Sequence, residues 1–250
     1  SNAGIRGDSS SGDAGENFGW SMSLSSDGNR IAVGAPKADG GGFANSGSIS
    51  VWDWTEITGQ DRTEWVQVGS TRYGHIDGSG YGLGDSISMS KDGNVIISGA
   101  PDRDYARVFR WDGSDWNAEA TFSSGGSSEC FGDDVDIDAD GDTVIVSANG
   151  CDGRNDRGYV NVYRKSSSNN TWAQLGSSIL GEYDDDGSGF QADEFGHAVS
   201  ISDDGNVVAI SSRKNPGSLD ISSQYKNAGH VRVFEYSNGA WKQLDNDLDG

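Results

Sequence analysis

The chain has 250 residues, of which 38 are glycine, 3 are proline and 33% are hydrophobic, and its formal net charge is −21. A surface this acidic repels nucleic acid and anionic lipid, so we expect no nucleic-acid partner. No stretch approaches the ~20 apolar residues of a membrane-spanning helix, so membrane insertion is not expected either. Frequent glycine, scarce proline and short alternating segments favour an all-β fold.

A short phrase recurs four times along the chain. In each copy a Phe-Gly or Leu-Gly pair opens an alternating strand, an Asp-Gly turn begins nine residues later, and a second, apolar strand follows the turn. The pairs begin at Phe18, Leu83, Phe131 and Phe195, and the turns begin at Asp27, Asp92, Asp140 and Asp204. A fixed hairpin with variable connectors indicates an array built from one repeated unit.

Each copy continues with a variable loop, a third alternating strand and a fourth strand that opens with a tryptophan. The third strands cover residues 48–52, 106–111, 159–163 and 230–236, and the fourth strands open at Trp65, Trp116, Trp172 and Trp241. Four antiparallel strands per repeat are typical of a β-propeller blade, with the tryptophans packed between blades. We therefore predict a single four-bladed β-propeller domain over residues 1–250, although these blades either close a ring or belong to a longer array. The approximate repeats are 8–78, 79–124, 125–181 and 182–250, and residues 1–3 are interpreted as a cloning remnant.

The repeats resemble the FG-GAP family, which forms the blades of integrin α-subunit propellers. The resemblance rests on Phe18-Gly19 with Gly34-Ala35-Pro36, and on Leu83-Gly84 with Gly99-Ala100-Pro101. The third and fourth copies keep Phe-Gly, but Ser147-Ala148-Asn149 and Ser211-Ser212-Arg213 replace Gly-Ala-Pro. The resemblance implies a propeller with an extracellular or cell-surface location that serves adhesion or ligand binding.

Calcium is the cofactor that the resemblance raises, because some family members carry an Asp-rich loop between the first two strands. The nearest match here is Asp136, Asp138 and Asp140, whose alternating oxygens are of the kind that calcium binds. The repeat alignment also allows a second interpretation, since Asp136 and Asp138 fall at positions held by serine on the strand of the fourth copy. A weak calcium site and a polar strand face both remain open.

The long variable loops are predicted to lie on one face of the propeller, where binding residues on a rigid scaffold usually occur. The most acidic loop supplies candidate ligand-binding residues Asp184, Asp185, Asp186, Asp193 and Glu194. Asp184 and Asp186 are also weak calcium candidates, because clustered carboxylates attract cations. The expected partner is a protein or a glycan bound on this long-loop face.

The sequence contains no catalytic motif that stands out, so we predict a binding module and not an enzyme. The preferred function is a secreted or cell-surface adhesion module. The alternative is a structural repeat segment of a larger adhesin or cell-wall protein without its own pocket, and a catalytic propeller ranks third. If the ring is open, self-association through exposed blade edges is also expected.

The two cysteines, Cys130 and Cys151, flank the hairpin of the third copy. With Asp140-Gly141 at the centre of the turn, facing positions on the two strands sum to 281, and so do 130 and 151. Facing residues of antiparallel strands are within reach of a disulfide. We therefore predict a Cys130–Cys151 disulfide, which favours an oxidising compartment.

Overall fold

The computed structural model describes residue 5 and residues 15–74, 82–125, 129–150, 157–182, 194–215 and 228–250. Within these residues the chain forms four antiparallel sheets in series, one from each repeat. They confirm the predicted all-β propeller architecture, and we call them blades 1 to 4 in chain order. One 3-10 turn, Pro101–Arg103, is the helical element of the described chain, which contains no helix able to span a membrane.

The strands follow the repeats in chain order. Blade 1 contains β1 (Met22–Leu24), β2 (Arg30–Ala35), β3 (Ser48–Glu56), β4 (Thr63–Gln67) and β5 (Arg72–Tyr73). Blade 2 contains β6 (Ile87–Met89), β7 (Val95–Ala100), β8 (Tyr105–Trp111) and β9 (Trp116–Ser123). Blade 3 contains β10 (Phe131–Ile137), β11 (Thr143–Ala148), β12 (Tyr159–Lys165), β13 (Trp172–Gln174) and β14 (Ile179–Leu180). Blade 4 contains β15 (Phe195–Ile201), β16 (Val207–Ser212), β17 (His230–Ser237), β18 (Ala240–Gln243) and β19 (Leu248–Asp249).

Each blade orders its strands first, second, third and fourth, as a four-stranded meander. In blades 1, 3 and 4 the fourth strand is interrupted, and its second piece (β5, β14 or β19) pairs with the other end of the third strand. Two of these breaks are each occupied by a tryptophan of the following blade. The indole of Trp116 donates to the carbonyl of Val68 at 3.1 Å, and that of Trp241 donates to Leu175 at 2.7 Å.

The Phe-Gly phrase forms a bulge at the start of the first strand in blades 3 and 4. In blade 3, β10 pairs with β11 so that Val135 faces Val146, as the predicted register requires, but Phe131 faces Ala148 after a register shift. The glycine of the phrase adopts a left-handed φ of 86–97° at Gly19, Gly84, Gly132 and Gly196. Glycine reaches this region without the steric cost that a Cβ imposes, which explains its recurrence at the bulge.

The bulge changes the position predicted for the cysteines. The amide of Gly150 donates to the carbonyl of Glu129, which continues the shifted register and brings Cys130 level with residue 149. Two extra residues of the first strand lie in the bulge, so the one-to-one register predicted from the Asp140-Gly141 turn does not extend to Cys130, which is not a free cysteine. Cys151 itself lies outside the described residues, so the Cys130–Cys151 disulfide stays a prediction.

The glycines of Phe-Gly and Gly-Ala-Pro meet across the boundaries between blades. A Cβ on Gly34 of blade 1 would lie 2.2 Å from the carbonyl oxygen of Gly84 in blade 2. A Cβ on Gly99 would likewise lie 1.8 Å from the oxygen of Gly132. The two halves of the repeated motif are therefore partners in one backbone contact that joins neighbouring blades.

Three apolar cores hold the blades together. Blades 1 and 2 share Ala32, Ile49, Val51, Leu83, Ile87, Met89, Ile96, Ala100, Tyr105, Phe109 and Trp116. Blades 2 and 3 share Val95, Ile97, Ala106, Val108, Phe122, Phe131, Val135, Ile137, Val144, Val146 and Ala148. Blades 3 and 4 share Ile145, Val160, Val162, Ile179, Phe195, Val208, Ile210 and Phe234. The fully buried second strands β7 and β11 serve two cores each, because their alternate side chains point into different boundaries.

An arginine in each of blades 1, 2 and 3 also joins that blade to the Asp-Gly turn of the next. Arg30 donates to the carbonyl of Gly93, Arg110 donates to that of Gly141, and Arg164 donates to that of Gly205. Each of the three also reaches the side-chain oxygen of the residue after that glycine. These bonds give every described boundary the same polar clamp at its hairpin end.

The described blades form an open arc. No core of the described residues joins blade 4 to blade 1, and Met22 and Leu24 of β1 are 61% and 54% exposed. Their equivalents in blade 2, Ile87 and Met89, are 8% and 7% exposed because blade 1 covers them. Four blades with three shared cores therefore leave one face of blade 1 without a neighbouring blade.

Candidate functional site

The first strands of adjacent blades lie side by side, so their ends converge where the long loops begin. We call this region the axial mouth and define it by the second residue after each Phe or Leu of the phrase: Trp20, Asp85, Asp133 and His197. Trp20 and His197 are exposed, whereas Asp85 and Asp133 are partly buried. Of these four residues, Trp20 and Asp133 both act on the carboxyl of Asp85, so two carboxyls and an indole meet at this end of the arc.

Two further aspartates of blade 3 link the first strands below the mouth. Asp134 accepts hydrogen bonds from the hydroxyl of Ser86 at 3.0 Å and from the amide of Val199 at 2.8 Å. Asp136 accepts from the hydroxyl of Ser88 at 2.7 Å and from the amide of Ile201 at 2.9 Å. Both carboxylates therefore join blade 3 to blades 2 and 4.

This arrangement gives the residues of the predicted calcium set, Asp136, Asp138 and Asp140, other contacts, which fits the interpretation as a polar strand face, while calcium binding stays a prediction. Asp138 is buried and accepts the amides of Asp142 and Thr143, so it shapes the turn that Asp140 exposes to solvent. Within the described part of the chain, these three residues do not form a group that could ligate one metal ion. Asp136 is engaged by the two neighbouring blades, and Asp138 is engaged by its own turn.

Asp85 is the most perturbed acid of the mouth. Burial raises the pKa of its carboxyl to about 7, and the charges of Asp133 and Asp102 add to the rise. The indole of Trp20 donates a hydrogen bond to this carboxyl, which partly opposes the rise. Near neutral pH, Asp85 therefore exchanges readily between a protonated and an ionised form.

Asp133 lies beside it in the next blade. Burial, followed by the charge of Asp134, raises the pKa of the Asp133 carboxyl to about 6, whereas the charge of Arg213 lowers it. The amide of Asn149 donates a hydrogen bond to Asp133 and holds its carboxylate in place. Two neighbouring carboxyls with raised pKa values are a feature of binding and catalytic sites, although structural networks also produce them.

Glu194 is the one predicted loop residue that the structure describes, and it lies at the rim of this mouth. Arg213 and Lys214 form ion pairs with its two carboxylate oxygens. Burial opposes ionisation, but these hydrogen bonds lower the pKa of Glu194 below its usual range. Its charge is therefore compensated. The other predicted loop residues, Asp184, Asp185, Asp186 and Asp193, lie outside the described residues, so calcium binding by Asp184 and Asp186 remains a prediction.

Sequence reasoning missed Asp85 and Asp133. They are separated by 48 residues and meet because equivalent strand positions converge on one axis, which the repeat alignment alone could have indicated. In all four copies this position holds a polar or amphipathic residue next to a buried strand. That signal was available from the repeats.

A separate cavity of about 370 Å³ opens at the hairpin end of the boundary between blades 1 and 2. Its walls include Arg30 and Asp53, whose side chains pair at 2.6 Å. Arg30 is also bonded to Gly93 and Asn94, so the main charged groups of this cavity already serve the blade boundary. We therefore assign it a structural role.

Comparison with known proteins supports the repeat and the fold. Residues 9–52 match the model of the FG-GAP repeat, which confirms the FG-GAP resemblance for the first repeat. No curated protein matches the chain in sequence.

Among solved structures, a Bacteroides uniformis protein described as a 6-phosphogluconolactonase is similar, with a TM-score of 0.59, 13% identity, and coverage of 92% of this chain and 54% of that one. The Pseudomonas aeruginosa periplasmic gluconolactonase PpgL gives a TM-score of 0.51 and 17% identity, over 92% of this chain and 57% of that one. Kuenenia stuttgartiensis hydrazine synthase gives a TM-score of 0.53 and 12% identity, over 98% of this chain and 53% of that one. The chain thus spans about half the length of these structures.

These structures correct the prediction that the chain is not an enzyme. Proteins described as lactonases carry the same fold, so a propeller of this kind gives no ground for excluding catalysis. At 12–17% identity the likeness concerns the fold alone and transfers no reaction to this chain.

Proposed function

We propose that this repeat propeller is a ligand-binding module whose axial mouth binds a glycan, and that it acts at the cell surface or outside the cell. The observation that carries the proposal is the pairing of Trp20, 53% exposed, with the partly buried Asp85 that its indole contacts. An aromatic face beside carboxylates matches a sugar ring, which offers apolar C–H groups on one face and hydroxyl donors at its edge.

The charge pattern of the mouth fits a neutral polyhydroxylated ligand. Asp85 and Asp133 accept hydrogen bonds when ionised, and a protonated Asp85 donates one. Arg213 and Lys214 each pair with Glu194 at the rim. Each has more N–H groups than this ion pair uses, and the remaining ones can donate to ligand oxygens. First strands bonded through Asp134 and Asp136 supply the rigid support that a weak sugar site requires.

The test is binding of the intact chain to a glycan array, followed by calorimetric titration of the best glycan. We expect Asp85→Asn and Asp133→Asn each to weaken binding at least about tenfold, the value of one charge-assisted hydrogen bond. Asp61→Asn, an exposed acid outside the mouth, is the matched control and should bind like the parent. Equal affinity in all four proteins would contradict the assignment, and an array without any bound glycan would leave a protein ligand as the better proposal.

A second candidate is acid–base catalysis on a sugar-derived substrate, favoured by the neighbouring carboxyls with pKa values of about 7 and about 6. An ionised Asp133 would take a proton from water as the water oxygen adds to a lactone carbonyl carbon. A protonated Asp85 would give its proton to the ring oxygen as the acyl C–O bond breaks. Hydrolysis of gluconolactone above the buffer rate, lost in Asp85→Asn, would support this activity, and a rate equal to that of buffer would exclude it for that substrate.

A further inference from the structure

Glu182, His230 and Asp247 meet beside the boundary between blades 3 and 4. Glu182 follows β14, His230 opens β17, and Asp247 precedes β19. One ligand atom from each residue lies within 4.8 Å of the others. Chain segments from two blades thus bring one imidazole and two carboxylates to a single point.

His230 is buried without a hydrogen-bond partner. Its side chain is 1% exposed, and neither ring nitrogen makes a hydrogen bond. Buried polar atoms almost always have a partner, so an imidazole with two unpaired nitrogens indicates a missing ligand, most simply a cation that one nitrogen coordinates.

The spacing of the donor atoms suits a small cation. Nδ1 of His230 lies 3.4 Å from Oδ2 of Asp247. Ligands about 2.0–2.1 Å from a tetrahedral zinc ion lie about 3.4 Å from one another. Calcium prefers oxygen ligands at longer distances and rarely uses imidazole, so the donor set favours zinc over calcium.

Neighbouring side chains hold the two carboxylates in place. Gln243 donates to Oδ1 of Asp247 at 2.6 Å, which leaves Oδ2 facing His230. Asn215, 2% exposed, donates to Glu182 at 3.3 Å. Such supporting bonds orient metal ligands and are a regular part of metal sites.

Among the described residues, the other blades do not repeat this donor set at the position of His230. The registers of the second and third strands place Ser48, Tyr105 and Tyr159 at the positions equivalent to His230. None of these side chains is a usual zinc ligand. The cluster is therefore a property of blade 4 and not of the repeat.

We propose that Glu182, His230 and Asp247 bind one zinc ion, with a fourth position open to water or to a ligand atom. This site differs from the calcium positions predicted in the acidic loop and in the third hairpin. It also stands independently of glycan binding at the axial mouth. It would join the end of blade 3 to the third strand of blade 4.

The test is calorimetric titration of the intact chain with zinc chloride, with calcium in excess to occupy non-specific carboxylates. We expect one zinc ion per chain. Asp247→Asn should bind zinc at least about tenfold more weakly, because loss of a coordinating or supporting group usually has an effect of this size. Asp245→Asn, an exposed acid of the same loop, makes the same charge change and should bind zinc like the parent. Equal zinc affinity in Asp247→Asn and Asp245→Asn would overturn the proposal.

X-ray absorption at the zinc edge gives a second readout that does not depend on a variant. We expect one imidazole in a four-coordinate shell of nitrogen and oxygen. A shell made of oxygen alone would exclude His230 as a ligand and overturn the site. His230→Gln adds a third arm, and if that variant does not fold, Asp247→Asn and the absorption spectrum still decide the question.

Discussion

The indole N–H of Trp20 in blade 1 donates a hydrogen bond to the carboxyl of Asp85 in blade 2. The two residues hold the same position in successive repeats, two places after the Phe or Leu that opens each first strand. Their bond therefore crosses a blade boundary at the axial mouth. It places the edge of an exposed indole against a carboxyl that burial keeps partly protonated near neutral pH.

The contact between Phe-Gly and Gly-Ala-Pro predicts a large effect of a single methyl group. In Gly99→Ala the new Cβ would lie 1.8 Å from the oxygen of Gly132, and backbone on both sides limits relaxation. We expect a loss of about 3 kcal/mol in the free energy of unfolding, the upper part of the range for overpacking. Urea unfolding measures it. Gly59→Ala is the control, because its Cβ would meet nothing within 4 Å and only its left-handed backbone costs about 1 kcal/mol. Equal losses in both variants would contradict the contact.

The arginine clamp predicts a smaller but clear effect. Arg164 donates to the carbonyl of Gly205 at 2.7 Å and to Oδ1 of Asn206 at 3.1 Å. We expect Arg164→Ala to lower the free energy of unfolding by about 2 kcal/mol, because two partly buried acceptors lose a charged donor. The exposed ion pair of Arg62 with Glu64, 3.2 Å apart, is the comparison, and Arg62→Ala should cost less than about 0.5 kcal/mol. Thermal or urea unfolding that ranks the two variants the other way would argue against the clamp.

The raised pKa of Asp85 predicts how stability depends on pH. The carboxyl has a pKa of about 7 in the folded chain against a model value of 3.8, so the folded state holds more protons between these values. The free energy of unfolding should therefore fall as pH rises from about 4 to about 7. Above about pH 7, ionisation of Asp85 should change it little further. Asp85→Asn keeps an acceptor for Trp20 but has no carboxyl to ionise, so the variant should not lose this part of its stability as pH rises. It should be more stable than the parent at pH 8 by on the order of 2 kcal/mol, about half of what the full pKa change corresponds to, since solvent partly screens the group.

Urea unfolding of both proteins between pH 5 and pH 8 checks this prediction. Asp61→Asn serves as the control for the loss of one negative charge from an acidic chain. The same pH slope in Asp85→Asn and in the parent would show that Asp85 ionises at its ordinary pKa in the folded chain.

Much of the fold could be predicted from the sequence because its signals are local. The Asp-Gly turns and the alternating strands fix each hairpin, and the register predicted around Asp140-Gly141 holds at Val135. The bulge at Gly132 could not be read from strand periodicity, because a left-handed glycine shifts the register without changing the apolar pattern. The predicted register does not extend to Cys130 for that reason.

The candidate site was less predictable than the fold. Acidic composition drew attention to the long loops, whereas the mouth depends on Asp85 and Asp133, which meet only when blades pack. Asp136 is a calcium candidate by local spacing, and that spacing says nothing of its hydrogen bonds to Ser88 and Ile201 in neighbouring blades. The meeting of Asp85 with Asp133 and the bonds of Asp136 are both contacts between repeats. The spacing of residues within one repeat gives no information about such contacts.

The open arc predicts association between copies of the chain. Met22 and Leu24 leave the face of β1 exposed, and Ala209, Val231 and Val233 are only partly buried on the opposite side of blade 4, where blades 1 to 3 bury their equivalents. Since one blade covers such a face at every described boundary, we expect head-to-tail dimers at high concentration. Light scattering should then give a mass approaching twice 26.3 kDa. Met22→Glu should restore the monomer, whereas Leu180→Glu, at an exposed position of β14, should not. A monomer at every concentration would contradict the prediction.

Glycan binding by two tryptophan variants tests the central claim most directly. Trp20 at the axial mouth and Trp54 on β3 are 53% and 43% exposed, so Trp20→Ala and Trp54→Ala remove similar aromatic surfaces from different places. On an array that the parent chain binds, we expect Trp20→Ala to lose binding by at least about tenfold, in line with the value of one stacked ring beyond its buried area. Trp54→Ala should keep the affinity of the parent. Unchanged binding in Trp20→Ala, or a loss confined to Trp54→Ala, would contradict the assignment of the axial mouth as the ligand site.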